Sequence, residues 1–180
     1  MKNIKFFFLA SLLLATAALQ AQDEVATSEW QPPQIAQRGT LGVAGLSMGF
    51  AAEWKVTEGG NALIGTSPDG QVTIASFIAN GHDVQEVVDN LQTELDRSFE
   101  GLVLSPVEPY ELNGLQLKKT TGSGKMKDEN HFTMEVHIDI LETPVDGDNA
   151  IVLVVTYGAE ETITQYFDEI LLTLNSFTKI

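Results

Sequence analysis

Apolar and polar side chains alternate along several stretches of this chain, which is the pattern of β-strands that bury one face. The turn signal Ser67–Gly70 separates two of these stretches and predicts a β-hairpin. Farther along, Pro106 and Pro109 remove hydrogen-bond donors and predict an edge strand or an irregular one. The predicted strands cover residues 46–50, 54–57, 62–66, 72–79, 102–112, 115–121, 131–143 and 151–157.

In two other segments the apolar side chains recur every three or four residues, which predicts amphipathic helices. The first helix is predicted to start after Asp83, its N-cap, with Glu86 completing a variant of the capping box, and to end at Gly101. The second is predicted to begin near Glu160, where acidic residues suit the helix dipole. The buried stripes are expected to be Val84, Val87, Val88, Leu91, Leu95 and Phe99, and Ile163, Tyr166, Phe167, Ile170, Leu171, Leu174 and Phe177.

The order of these elements, strands and a helix followed by more strands and a helix, predicts an α+β fold. We expect a single antiparallel β-sheet packed with two main helices. The run Ile151–Tyr157 is apolar on both faces and is therefore expected at the centre of the sheet. Gly122 and Gly124 predict a loop, and a phosphate-binding loop is excluded because Lys119 stands where that motif needs glycine.

Residues 1–21 have the layout of a secretory signal peptide. Lys2 and Lys5 precede the apolar run Phe6–Leu19, and Ala21 is the expected last residue before cleavage. The run has 14 residues, whereas a membrane-spanning helix needs about 20, so cleavage is favoured over the alternative of an uncleaved anchor. The chain is therefore expected to be exported, to the periplasm or the outside of a bacterial cell.

The remaining chain divides into two parts by composition. Residues 22–39 are polar, contain Pro32-Pro33 and show no periodicity, so we expect a flexible linker. Residues 40–180 are long enough for one domain. No cysteine follows the signal segment, which excludes a thioether lipid anchor, and no later stretch is long and apolar enough to span a membrane.

The charge of the mature chain narrows the classes of partner. Without residues 1–21 it has 8 Lys and Arg against 25 Asp and Glu, a formal charge of −17, which repels phosphate backbones and anionic lipids. Nucleic acid is therefore excluded as a partner, and an envelope protein is expected instead. The absence of cysteine also excludes disulfides, thiolate zinc sites and thiol nucleophiles.

Three groups of residues at the joints of these elements are similar to the PsbP-like family, whose fold includes PsbP and bacterial exported proteins of the DcrB type. They are Ser47–Phe50 with Trp54 soon after, Leu112-Asn113-Gly114-Leu115, and Ile170–Phe177 at the end of the last helix. The resemblance implies an α/β sandwich that serves mostly in binding proteins or in assisting ions, and not in catalysis. It brings no functional residue with it.

The candidate site with the most polar groups is one face of the predicted strand 131–143. His131, Glu135, His137 and Asp139 alternate along it, and residues two apart on a strand face the same side at about 6.5 to 7 Å. These groups are weak candidates for metal ligands, because a metal needs three or four that converge. The alternative is a solvated or helix-covered sheet face that carries polar residues.

The sequence contains no pattern typical of a catalytic site. It has three histidines and no Gly-x-Ser-x-Gly elbow, so a nucleophile with its base cannot be assigned. We therefore expect a non-catalytic binding or accessory module of the bacterial cell envelope, with no cofactor. A divalent-cation-binding protein that uses the polar strand face, and a hydrolase of unassigned class, remain as alternatives.

Overall fold

The computed structural model of the chain describes residues 32–59, 62–79, 83–127, 133–145 and 148–180. All elements named below belong to the unit Pro33–Ile180. The other unit, Met1–Pro32, carries the predicted signal peptide and most of the predicted linker, and apart from Pro32 it lies outside the described residues. The first strand begins at Gln37, which was predicted to lie within the linker.

A large antiparallel sheet of eight strands forms the centre of this unit. The order is β3-β4-β5-β10-β9-β8-β6, and β7 pairs with β8 beside β6. Because β10 lies between β5 and β9, the prediction that the doubly apolar run is central is confirmed. The strands are β3 (Lys55–Gly59), β4 (Ala62–Thr66), β5 (Val72–Ala79), β6 (Phe99–Glu100), β7 (Glu108–Leu112), β8 (Leu115–Met126), β9 (Thr133–Val145) and β10 (Asp148–Ala159).

The described strands also form a second sheet of three strands, which shares no strand with the large sheet. It has the order β1-β2-β11, and both pairs are antiparallel. All five residues of its middle strand are buried, so both faces of this strand are covered by other parts of the domain. The strands are β1 (Gln37–Leu41), β2 (Leu46–Phe50) and β11 (Thr178–Lys179).

Within the described ranges, three α-helices pack on the two faces of the large sheet: α1 (Val84–Ser98), α2 (Glu160–Gln165) and α3 (Phe167–Asn175). On one face, Val87 and Val88 of α1 pack against Val136, Ile138 and Leu153. On the other face, α2, α3 and the small sheet share a core with the large sheet. That second core includes Met48, Phe50, Leu141, Val152, Val154, Ile163 and Ile170.

The prediction of a single sheet packed with two main helices is wrong. The strand predicted at 46–50 belongs to the small sheet, where it pairs with the C-terminal residues Thr178–Lys179. Alternation shows which face of a strand is buried but not which strand lies beside it, so a partner so distant in the chain leaves no local signal. The second predicted helix is also divided, because Tyr166 at φ −96° and ψ 14° interrupts it between α2 and α3.

The predicted loop at Gly122 and Gly124 is also wrong, because both residues lie inside β8. The segment after β6 crosses this part of the strand closely. A Cβ on Gly124 would stand 2.5 Å from Cβ of Leu102, and one on Gly122 would stand 2.8 Å from the Val103 carbonyl oxygen. Glycine at these positions therefore marks a close approach of another backbone, a role that glycine takes within strands.

Residues from each of the three groups that resemble the PsbP-like family meet where α3 ends. The Asn113 side-chain amide donates to the carbonyl of Asn175, and Ser176 Oγ accepts from the Gly49 amide at 2.5 Å and donates to the Thr173 carbonyl at 2.6 Å. The β7–β8 turn and strand β2 are thereby both tied to the last turn of α3. We call this arrangement the α3 joint, and it fixes the position of the helix that covers the site described next.

Candidate functional site

A cavity of about 150 Å³ lies between the helices α2 and α3 and the face of the large sheet. We call it the α3 chamber. Its floor comes from β8, β9 and β10, and in the strand register Thr121, His137 and Thr156 stand opposite one another across the three strands. Its roof is formed by five apolar side chains: Ile163, Phe167, Ile170, Leu171 and Leu174.

The mouth of the chamber is apolar and open to solvent. Phe167 is 53% exposed and Leu171 is 39% exposed, and the two are one helical turn apart on α3. The sequence predicted both as core residues, so the prediction is wrong for these two positions. Their neighbour on the same stripe, Ile170, is buried as predicted. The predicted apolar stripe of this helix is therefore wider than the part of the helix that packs against the sheet.

Thr156, a residue of the chamber floor, carries a buried hydroxyl group. Its side chain is 1% exposed, and its hydroxyl has no hydrogen-bond partner among the described residues. Leaving a buried hydroxyl without a partner costs about 1–3 kcal/mol. Ser76 and Thr173 carry buried hydroxyls of the same kind, but neither lines the chamber. The hydroxyl itself has almost no accessible surface, so Thr156 belongs to the chamber floor without presenting a free hydrogen-bonding group to the cavity.

Asp139 is a second buried polar group of the chamber, 8% exposed. Its Oδ1 accepts a hydrogen bond of 2.7 Å from the Tyr110 hydroxyl. Burial raises the pKa of Asp139 above its usual 3.8, against the opposing effects of the Tyr110 hydrogen bond and of His137 and Lys119. Burial, together with the Asp139 charge, also raises the pKa of Tyr110. The chamber therefore holds a carboxyl group that water stabilises poorly.

Three of the four predicted metal-ligand candidates lie on β9, and His131 lies outside the described residues. Glu135 and His137 are adjacent, with 3.4 Å between Oε2 and Nε2, while Asp139 is hydrogen-bonded to Tyr110. Within the described ranges, no three His, Asp or Glu side chains are grouped so that they could hold a metal ion. The metal site stays a prediction, and the face on which it was placed is partly covered by α3.

If the chamber were a catalytic site, His137 would be the candidate base, because it lines the cavity. Its ring contacts the Glu135 carboxylate at 3.4 Å. In the described part of the chain, no hydrogen bond joins it to the hydroxyl of Thr121 or Thr156. A hydroxyl nucleophile is activated by a base within about 2.6–3.2 Å, and this pairing is not formed here.

Sequence reasoning missed the chamber, although one signal for it is present. Thr156 is the single polar residue in the run Ile151–Tyr157 of a central strand. A polar side chain at the centre of a sheet needs an explanation in its surroundings.

Among the described helices, none is long and apolar enough to cross a membrane.

Neither a family model nor a curated protein sequence matches this chain. Several solved structures are similar to it at low identity, and two of them are described here. LpqN of Mycobacterium tuberculosis, described as involved in cell envelope biogenesis, has a TM-score of 0.54 and 13% identity and covers 83% of this chain and 86% of its own. Cyanobacterial PsbP of Synechocystis has a TM-score of 0.52 and 10% identity and covers 88% of this chain and 99% of its own. The chain therefore has a PsbP-like fold, as the residues of the α3 joint indicated.

Proposed function

We propose that this protein is an exported, non-catalytic accessory module of the bacterial cell envelope, and that it acts by binding a ligand in the α3 chamber. The observation that carries the proposal is the composition of the chamber wall. An apolar roof faces a floor with polar side chains, among them the buried carboxyl group of Asp139. Ligand sites in proteins are typically apolar cavities with a few polar groups that orient the ligand.

The surroundings of the chamber support a binding role. The side chains of Phe167 and Leu171 are exposed to solvent and also line the cavity. Exposed apolar patches on otherwise polar proteins mark sites of interaction. The envelope setting is supported by the predicted signal peptide and by the fold shared with LpqN, itself described as involved in cell envelope biogenesis.

The export part of the proposal has its own test. We expect the protein recovered from the extracytoplasmic fraction of the bacterial host to begin at Gln22, as determined by N-terminal sequencing and intact mass. A chain that keeps residues 1–21 and remains with the membrane would support the uncleaved anchor instead.

The binding part is tested with a library of small, mostly apolar compounds and the melting temperature as readout. Compounds that bind the chamber are expected to raise the melting temperature of the native protein and not that of Leu171→Trp, which fills the mouth. Val103→Trp is the matched control, because Val103 is 75% exposed and lies outside the chamber. If no compound stabilises the native protein, or if Leu171→Trp responds equally, the chamber is not the binding site.

The cation-binding alternative is supported by one contact, the pair Glu135 and His137 at 3.4 Å. Calorimetry of the metal-stripped protein with Zn²⁺, Mn²⁺ and Ca²⁺ tests it. This alternative requires binding heat that Glu135→Gln removes. No heat at millimolar metal would refute it.

A further inference from the structure

The volume of the α3 chamber suits one aromatic side chain. At about 150 Å³ it equals an engineered apolar cavity in another protein that takes up benzene. Benzene is also the ring of a phenylalanine side chain, so the chamber has room for one such side chain from a partner. Phe167 and Leu171 line the cavity and are exposed, so the rest of the partner would pass over them.

The helices that form the roof of the chamber carry exposed negative charge. Glu160 and Glu161 of α2 and Asp168 of α3 are exposed, and no Lys, Arg or His occurs between residues 160 and 178. Asp168 precedes Leu171 by three residues, so the two side chains are neighbours on the surface of α3. In the described part of the chain, none of the recorded salt bridges includes any of these three carboxylates. A partner that approaches the mouth therefore meets negative charge on the roof.

The two bases that line the chamber do not reverse this charge, because each has a carboxylate beside it. Lys119 Nζ lies 4.0 Å from Glu108 Oε2, and His137 Nε2 lies 3.4 Å from Glu135 Oε2. The lining of the chamber also includes Asp139. The charges around the mouth therefore favour a partner that carries positive charge, since interfaces join surfaces of complementary potential.

The same charge argues against a second copy of this chain as the occupant. Two copies that buried Phe167 in each other's chambers would bring two acidic surfaces of α2 and α3 together. Like charges placed opposite each other across an interface are strongly disfavoured. The chain as a whole has a formal charge of −15, so two copies repel each other before they make contact. A basic segment of a different protein avoids both penalties.

We propose that the occupant of the chamber is a segment of a partner protein in which one aromatic side chain is flanked by lysine or arginine residues. The aromatic side chain enters the chamber, and the basic side chains pair with Glu160, Glu161 or Asp168 outside it. Protein interfaces commonly have this arrangement, in which an aromatic anchor fills a pocket and charged residues surround it at the rim. The inference rests on the proposed function, because it names the partner class of the same chamber.

The first test selects binding sequences from a phage-displayed library of random dodecapeptides. The selection is run on the native protein, on Leu171→Trp, and on Val103→Trp as the matched control outside the chamber. We expect the peptides enriched on the native protein and on Val103→Trp to contain one Phe, Tyr or Trp with Lys or Arg close to it in sequence. Leu171→Trp should enrich none of them, because its mouth is filled.

The second test measures the affinity of the most enriched peptide, made synthetically, by fluorescence polarisation. Replacing its aromatic residue with alanine should weaken binding at least tenfold, as for an anchor residue. Asp168→Asn should weaken binding about two- to fivefold at low salt, the size expected for an exposed ion pair, and added salt should reduce this difference. Asp96→Asn is the matched control, because Asp96 is an exposed acid of α1 that does not line the chamber. Binding should be unchanged there.

The outcomes separate this inference from the proposed function. Enriched peptides that lack an aromatic or a basic residue, or equal losses of affinity in Asp168→Asn and Asp96→Asn, would overturn the partner class. No enrichment on the native protein, or peptides that bind Leu171→Trp as tightly, would overturn it as well. In each case stabilisation by small apolar compounds still decides whether the chamber is a binding site. A native dimer in sedimentation that Leu171→Trp dissociates would assign the chamber to a second copy and refute the inference.

Discussion

Asp139 is an ionisable residue on a sheet face that a helix covers, and it has one hydrogen-bond donor, Tyr110, among the contacts recorded for it. Burial favours the neutral carboxylic acid, whereas His137 and Lys119 favour the carboxylate, and burial is the larger effect. Since the same side chain lines the α3 chamber, the protein keeps a group there that weakens its own stability. Such groups are frequent at functional sites.

The raised pKa of Asp139 predicts a pH-dependent stability. The folded state binds this proton more tightly than the unfolded state, so the stabilisation is full below about pH 4 and is lost as the pH rises through the folded-state pKa. Asp139→Asn removes the titration and leaves an oxygen that can accept from Tyr110. We expect the melting temperature of Asp139→Asn, relative to the native protein, to rise between pH 4 and pH 8.

Asp168→Asn is the control for the loss of one negative charge, because Asp168 is exposed on α3. If the two asparagine variants differ from the native protein by the same amount at every pH, the account of Asp139 is wrong.

The side chain of Trp54 connects strand β2 with the beginning of helix α3. It is 3% exposed, its ring contacts Phe50 and Tyr166 at centroid distances of 6.2 and 6.1 Å, and its indole N–H donates to Glu169. We expect Trp54→Ala to lower the free energy of unfolding by about 3–5 kcal/mol, through the cavity that it leaves. Trp54→Phe keeps an aromatic ring, loses the hydrogen bond and should cost about 1–2 kcal/mol. Denaturant titration measures both, and a loss below 1 kcal/mol in Trp54→Ala would contradict the packing described here.

For single residues, the sequence predicts those roles that depend only on neighbours in the chain. Asp83 was predicted as an N-cap, and its side chain accepts from the Glu86 amide at 2.9 Å. The place of Thr156 in the chamber floor was not predicted, because it depends on where α3 lies, more than ten residues farther along the chain. The hydroxyl of an isolated strand residue carries no information on whether a cavity lies above it.

The end of α3 is held by side chains from distant elements, and Asn113 is the most unusual of them. It is the one non-glycine residue with positive φ, 51°, in the part of the backbone that is described. Asparagine tolerates this conformation better than most residues, and here its amide also caps the helix. The α3 joint therefore couples the geometry of a turn to the position of the chamber roof.

Two substitutions separate these roles of Asn113. Asn113→Gly removes the hydrogen bond and keeps the backbone conformation favourable, so we expect a loss of about 1 kcal/mol in stability. Asn113→Ala also strains the backbone, and we expect a loss of about 2–3 kcal/mol. Thermal and urea unfolding give the values. A glycine variant as unstable as the alanine variant would show that the left-handed conformation contributes nothing.

Strand β8 shows how a close backbone approach dictates glycine. Gly124→Ala would place a Cβ 2.5 Å from Cβ of Leu102, which is buried, so we expect a loss of about 1–3 kcal/mol from overpacking. Gly59→Ala is the matched control in another strand, because nothing lies within 4 Å of the Cβ it would add. Its stability should change by less than about 0.5 kcal/mol. Equal effects in the two variants would refute the close approach.

The sequence predicts most of the helices and strands, but it predicts where they end less well. The first helix follows from its apolar stripe and its cap, and it spans Val84–Ser98. The predicted loop at Gly122 and Gly124 is instead strand, because glycine has the same local signature in a turn as beneath a crossing chain. The interruption at Tyr166 left no signal, since the apolar spacing continues through it.

For the whole molecule, sequence patterns predict two buried faces but not the number of sheets. Val152 and Val154 face the core beneath α2 and α3, while Leu153 and Val155 face α1, in the alternation expected for a central strand. The separate sheet β1-β2-β11 depends on the two ends of the domain meeting, which no local pattern records. The PsbP-like fold was predicted from residues at the joints, and the shared folds of LpqN and cyanobacterial PsbP confirm it.

The layered arrangement leaves a small cavity, the α3 chamber, between helix and sheet, and the central claim of this account is that a ligand binds there. A crystal of the protein soaked with 4-bromophenol tests it most directly, because the anomalous signal distinguishes bromine from the light atoms of the protein and solvent. We expect the bromine beneath α3, in contact with the apolar side chains that form the roof of the chamber. Bromine found only at surface positions, with the chamber unchanged, would contradict the claim.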